Sequence, residues 1–315
     1  MAGLVLILTA TIGGAPTRAG DLPAEPNGVQ ATLTWTINGT APNQYITITG
    51  VSNKADNPTV VNIPTSIQVS PVTSLPVTHI GDNAFGANQG FPGVPFWAGL
   101  EHATIPEGIT HIGDYAFAGS AGRVQGAIES IELPNSLTYI GAYAFSYTSL
   151  KSVVIPSVQS FGPNAFSECY QLTDVEFKNG TTYIPDYTFS YCRALRNIKL
   201  PTTLETIGAS AFNYCELLER IEIPANVTHI GNGAFAVNLK LTHVVLLGNN
   251  TNLAVDASLV FAYSNNIQNI GVVDAAALAY YKANSNWLSF AHLMTVLQHT
   301  IILPPESGVG WILVS

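Results

Sequence analysis

"SAFNYCELLERIEIPANVTHIGNGAF" occupies residues 210–235, and a close relative, "NAFSECYQLTDVEFKNGTTYIPDYTF", occupies residues 164–189. Each holds Ala-Phe, a Cys three residues later, a Leu three residues after that, and a short β-rich run. Aligning the whole chain on that phenylalanine gives Phe85, Phe117, Phe145, Phe166, Phe189, Phe212 and Phe235, with spacings of 32, 28, 21, 23, 23 and 23. Self-similarity at this period is the mark of a solenoid, in which each unit buries its apolar face only by stacking on its neighbours.

The unit has two halves. "LERIEIP" (218–224), "LRNIKLP" (195–201) and "LKSVVIP" (150–156) show the first, and "HIGNGAF" (229–235), "TIGASAF" (206–212) and "YIGAYAF" (139–145) show the second. In the first half Ile221 and Ile223 are two apart and share one face of a strand, while Arg220 and Glu222 point the other way. One strand per unit with a long return makes a parallel sheet. Pro224 ends the ladder because it has no N–H to donate. Gly231 is expected at a tight corner, and Ala234, Phe235 and Leu239 are expected to turn inward over about one helical turn.

The pattern L-x-x-V-x-I-P, then I-G-x-x-A-F-x-x-C, resembles the BspA-like, or treponemal-type, leucine-rich repeats of cell-surface proteins, over about residues 76–250. The resemblance implies a leucine-rich-repeat solenoid with a parallel β-sheet on one face and short helical turns on the other. It also implies a secreted or surface-displayed protein that mediates binding or adhesion, with no shared catalytic residues and no cofactor. The fourth copy departs from the pattern: Pro185 replaces the repeat Gly, Thr188 the repeat Ala and Lys178 the strand-ending Pro, so its corner is expected to differ.

Composition narrows the partners. With 47% hydrophobic and 10% charged residues the chain folds rather than staying disordered. A net charge of −9 with 11 Lys plus Arg leaves no basic stripe, which argues against nucleic acid and anionic lipid surfaces. No stretch reaches the ~20 continuous apolar residues of a spanning helix. The apolar run from Leu4 to Ile12, followed by Thr17-Arg18-Ala19, reads residues 1–20 as a secretory signal that lacks a basic start, with a buried first strand as the alternative.

Residues 21–75 contain "TLTWTINGT" and "YITITGVS" with period-two alternation, and read as an N-terminal β cap. Residues 251–295 join a strand-like segment to a helical stretch from Ala275 bearing Tyr280, Tyr281, Trp287 and Phe290, and read as a helical C-terminal cap that keeps core surface dry. The tail, residues 296–315, contains "LPPESG", which does not match the sorting motif L-P-x-T-G, so a sorting role and an ordinary terminus both stay open.

Chemistry-bearing residues are few. Cys169, Cys192 and Cys215 recur at 23 and should form a column about 4.8 Å apart. That fits poorly with the ~3.8 Å Cβ separation of a disulfide. Without a Cys-x-x-Cys they are not zinc ligands either, and they read as buried structural thiols. His79, His111 and His229 all precede Ile-Gly, at a position that takes several residue types and so reads as surface; only His79 and His111 could be neighbours. "GNGAFA" (231–236) fits Gly-x-Gly-x-x-Ala but sits inside the repeat rather than between a strand and a long helix, so it is not a nucleotide site. No catalytic motif supports an enzyme.

The outward strand positions are the binding candidates. One column reads Thr104, Glu132, Val154, Glu176, Lys199, Glu222, Val245, and the other His102, Ser130, Ser152, Asp174, Asn197, Arg220, His243. Lys199 between Glu176 and Glu222, with Asp174 and Arg220 beside it, is expected to form a cross-strand charge network, either as a binding face or as a merely solvated one. The insertion "GANQGFPGVPFWAG" (86–99) offers Phe91, Phe96 and Trp97 on a Gly and Pro-rich loop, to grip a sugar ring or a protein, or to fold back onto the β cap. The partner expected is an extracellular or surface protein or glycan. The rival readings are a structural envelope repeat and a carbohydrate-binding accessory protein.

Overall fold

The computed structural model describes residues 33–51, 60–86, 100–119, 128–248, 253 and 257–297. Phe91, Phe96 and Trp97, the segment 1–20 and residues 298–315 lie outside the described residues.

Each repeat contributes one strand to a parallel face, as the alternating apolar pattern requires. The strands run His102–Thr104, Ser130–Glu132, Ser152–Ile155, Asp174–Phe177, Asn197–Lys199, Arg220–Ile223 and His243–Leu246. Paired neighbours are parallel and in register, with Val153 opposite Val175, Val175 opposite Ile198, and Ile221 opposite Val244. Those residues point inward, and Val153, Val175, Ile221 and Val244 are buried. Two further parallel strands, Asn269–Val272 and Met294–Val296, extend the face beyond the repeats.

After the strand the chain turns and enters a second parallel ladder made of two-residue strands: His111–Ile112, Tyr139–Ile140, Ser160–Phe161, Tyr183–Ile184, Thr206–Ile207 and His229–Ile230. The second residue of each is buried. Such short pieces carry too little periodicity to be read as strands from sequence; only a corner was expected there. The glycine that recurs from repeat to repeat is explained by close approach. A Cβ on Gly231 would lie 2.4 Å from the Ala209 backbone nitrogen in the repeat before, and one on Gly208 would lie 2.5 Å from the Asp186 nitrogen.

At Pro185 this ladder breaks. Gly162, Gly208 and Gly231 donate their N–H to Ile140, Ile184 and Ile207 one repeat earlier, at 2.7 to 2.8 Å. Pro185 has no N–H to give to Phe161, and the strands Ser160–Phe161 and Tyr183–Ile184 fall in separate sheets. The altered corner expected in the fourth copy is therefore present, and its cause is the missing donor.

The third side consists of successive turns closed by N–H to carbonyl bonds three residues back, such as Ser190 to Tyr187 at 3.1 Å and Asn213 to Ser210 at 3.2 Å. The short helical turns take this form. Here the repeat phenylalanines stack: Phe145 and Phe166 at 5.0 Å, Phe189 and Phe212 at 5.4 Å, Phe212 and Phe235 at 5.3 Å between ring centroids. Burying one such ring is worth about 1.5–3 kcal/mol, and each stacked pair about 0.5–1.5 kcal/mol more. The column continues to Phe261, 5.8 Å from Phe235. Leu239, expected inward, is 47% exposed, because the inward position is Asn238, 23 residues after Cys215.

At one end, the strand Leu33–Asn38 pairs antiparallel with Tyr45–Val51, which joins the second ladder by pairing parallel with Thr73–Ile80. Trp35, Ile46 and Ile48 are buried in the same core as the repeats. At the other end, the helix Ala275–Ala283 begins at Asp274, whose carboxylate accepts the Ala277 N–H at 2.7 Å. A 3-10 helix, Ser285–Leu293, follows. Trp287 is fully buried between Tyr281 at 5.3 Å and Phe261 at 6.3 Å. Among the described residues no helix is long and apolar enough to cross a membrane.

Candidate functional site

Strand geometry places both outward columns as their spacing requires. His102 sits opposite Ser130 and Thr104 opposite Glu132, Asp174 opposite Asn197 and Glu176 opposite Lys199, and Arg220 opposite His243. All of these are exposed or partly exposed. Val245 departs: it is buried, although it belongs to the outward column. Its ladder partner Gly271 leaves the space occupied by Leu297, whose Cδ2 lies 2.4 Å from where a Gly271 Cβ would stand.

The charged residues split into two groups rather than one network. Glu176 Oε1 receives Lys199 Nζ at 3.1 Å and Lys178 Nζ at 3.2 Å. Arg220 turns along its own strand to Glu222 Oε1, with Nη2 at 2.9 Å and Nε at 3.2 Å. Among the described residues no ion pair joins Lys199 to Glu222, which corrects the expected network. The physical reason is local. Arg220 lies two residues before Glu222 on the same face and takes it first, and the strands Asn197–Lys199 and Arg220–Ile223 belong to separate sheets.

Asp174 and Glu176 are held in their charged forms. Asp174 accepts Thr173 Oγ1 at 2.6 Å and Asn197 Nδ2 at 2.7 Å, and these bonds hold its carboxyl below the usual range. Hydrogen bonds from Lys199 and then Lys178 lower Glu176 likewise. Around these groups lies a hollow of about 910 Å³, whose wall includes Val154, Glu176, Lys199, Arg220, Glu222 and Leu247. A second, of about 790 Å³, shares Val154 and reaches Glu132 and His102. Val154 is 47% and Leu247 40% exposed, so the face offers apolar anchors beside fixed charges of both signs. That composition suits recognition of another macromolecule.

Sequence reasoning missed the aromatic lining of the other sides. His79 and His111 are indeed neighbours, but they stack at 4.2 Å and 13°, with Tyr45 and Tyr139 on either flank. They are partly buried by this stack rather than fully at the surface. Their Nδ1 atoms pair with Thr78 Oγ1 at 2.7 Å and Thr110 Oγ1 at 2.8 Å. Burial first, and then its neighbour His111, push His79 down to about 4. The three cysteines form the expected buried column as free thiols. Among the described residues no group of three His, Cys, Asp or Glu side chains could hold a metal ion.

The family model for the BspA type leucine rich repeat region matches in six copies, over residues 95–184, 123–242 and 159–277. No curated protein matches the chain. Similar solved structures include a leucine-rich repeat protein from Bacteroides ovatus, 24% identical, covering 76% of this chain and 69% of that one with a TM-score of 0.44. A leucine rich cell surface protein from Faecalibacterium prausnitzii is 19% identical, covering 85% and 99%, with a TM-score of 0.33. A leucine rich repeat protein from T. pallidum is 20% identical, covering 76% and 81%, with a TM-score of 0.37.

Proposed function

The chain belongs to the BspA-type leucine-rich repeat family, and we propose that it is a secreted or cell-surface protein that binds another protein or surface component through its strand face, without catalysis. In this reading residues 1–20 export the chain, residues 21–75 and 251–295 close the two ends of the repeat array, and residues 76–250 present the face. Residues 296–315 form the tail. The loop with Phe91, Phe96 and Trp97 is proposed as a second contact zone.

One observation carries the reading. Exposed ion pairs such as Lys199 with Glu176 and Arg220 with Glu222 contribute about 0–1 kcal/mol to stability. Folding therefore does not account for an ordered row of charges around an open hollow with Val154 and Leu247 in its wall. A partner of complementary charge does.

The test is equilibrium binding of the full chain to a panel of extracellular matrix proteins and polysaccharides, beside a Phe91, Phe96, Trp97 triple-alanine variant. Saturable binding supports an adhesion module, and its loss in the folded triple variant adds the loop to the site. A chain that binds no member of the panel favours a structural envelope role.

A further inference from the structure

The turn side of the solenoid holds bulky residues in a backbone region that usually takes Gly, Asn or Asp. Tyr115, Tyr143, Tyr147, Tyr187, Tyr191, Tyr214 and Tyr263 all have φ between +54° and +61°. Most recover that strain inside the chain. Tyr115 stacks on Tyr143 at 4.8 Å, Tyr191 stacks on Tyr214 at 4.4 Å, and Tyr147 donates to Glu168 at 2.5 Å.

Tyr187 is different. Its column neighbours are Asn164 and Ser210, too small to cover a ring, and among the described residues it makes no ring contact; it is 46% exposed. Four residues earlier Tyr183 repeats the situation in the second ladder. Tyr45, His79, His111 and Tyr139 stack along that ladder, but Tyr183 follows Ser160 and pairs with Thr206, and it is 44% exposed. Both rings flank Pro185, where the ladder is broken. Tyr187 keeps the backbone bonds of its column, its N–H on the Ala209 carbonyl at 2.9 Å and its own carbonyl accepting from Ser190 at 3.1 Å, but both rings lack the aromatic cover that other copies have.

We infer that Tyr183 and Tyr187, bracketing Pro185 and Asp186 in the fourth repeat, form a binding site for a neutral glycan. Aromatic faces left open by small neighbours suit the C–H face of a pyranose ring. The neighbouring positions supply its hydrogen-bonding complement: Ser160, Asn164, Thr206, Ser210 and Asp186 carry hydroxyl, amide and carboxylate groups, beside the small apolar surfaces of Pro163 and Ala209. Asp186 spends Oδ1 on the Ala209 amide at 2.7 Å, which fixes the carboxylate and leaves Oδ2 to accept from a sugar hydroxyl. Burial, and then the Asp186 carboxylate, raise the Tyr183 phenol, as expected for a ring lying beside that acid. Tyr263 is also strained and 74% exposed, but it has no second tyrosine four residues before it. The site lies on the corner and turn side, so it does not rest on the strand-face reading.

The test is affinity electrophoresis of the full chain in gels containing glycogen, hydroxyethylcellulose or xylan, with heparin as the anionic probe. The expected result is retardation by at least one neutral polysaccharide, weakened about tenfold or more by Tyr183→Ala and by Tyr187→Ala and unchanged in Tyr263→Ala. Tyr187→Gly separates folding from binding, since glycine takes the left-handed backbone at no steric cost. It should melt no lower than the unsubstituted chain and still lose the retardation. Mobility unaffected by all three neutral probes, retardation by heparin alone, or retardation that survives both alanine variants overturns the inference.

Discussion

Cys192 Sγ lies 3.2 Å from the carbonyl oxygen of Phe166, one repeat before it. Cys169 and Cys215 make the same contact with Phe145 at 3.1 Å and Phe189 at 3.4 Å. At the far end a hydroxyl stands in, Ser264 donating to Phe235 at 2.7 Å, while at the near end Thr148 donates within its own repeat to Phe145 at 2.9 Å. The position requires a short side chain with a donor, which satisfies a buried turn carbonyl.

Cys192→Val keeps the volume and removes the donor, leaving the Phe166 carbonyl unsatisfied at a cost of about 1–3 kcal/mol. Cys192→Ser keeps a donor and is expected to cost less, as read from urea midpoints of the two variants. Burial raises the Cys192 and Cys215 thiols well above their ordinary range, so neither should react with a thiol reagent until the chain unfolds.

Gly231→Ala places a methyl 2.4 Å from the Ala209 nitrogen, against backbone that cannot swing aside. Overpacking of this kind costs about 1–3 kcal/mol. Thermal melting should show a clear loss for Gly231→Ala and a smaller one for Asn226→Ala, which gives up only an exposed bond from its Nδ2 to the Thr202 carbonyl at 2.8 Å.

Acid should weaken the end of the array nearest His79. Its native value is about 4 against 6.5 in the unfolded chain, so between those pH values the unfolded chain binds more protons. Stability contributed by neutral His79 is complete above pH 6.5 and is lost as pH falls toward 4. His111, lowered by burial, acts in the same direction. A His79→Gln variant should show a flatter melting temperature profile across pH 4.5 to 6.5, while the carboxylates Asp174 and Glu176, lowered from 3.8 and 4.5, act below that window. An unchanged slope would remove this explanation.

The repeat was legible because Phe and Leu recur at fixed spacing, and the outward columns follow from it with the exception of Val245. The eighth unit escaped notice because Val260 stands for Ala, Ser264 for Cys, and its glycine is absent, although Phe261 and Ile267 keep the spacing of six. Counting 23 residues from Cys215 would have placed Asn238 rather than Leu239 inside. The pairing of Arg220 with Glu222 was not legible, since it depends on which of several conformations two long side chains share. The open faces of Tyr183 and Tyr187 could have been read from their small column neighbours once the second ladder was known.

Binding kinetics of a Lys199→Glu, Arg220→Glu double variant, measured against whichever matrix protein the unsubstituted chain binds, test the strand face directly. Both residues are exposed, so the melting temperature should move little. The account predicts a dissociation constant raised at least tenfold, with much of the change in the association rate and a weaker dependence on salt. Unaltered affinity in a fully folded variant would contradict it.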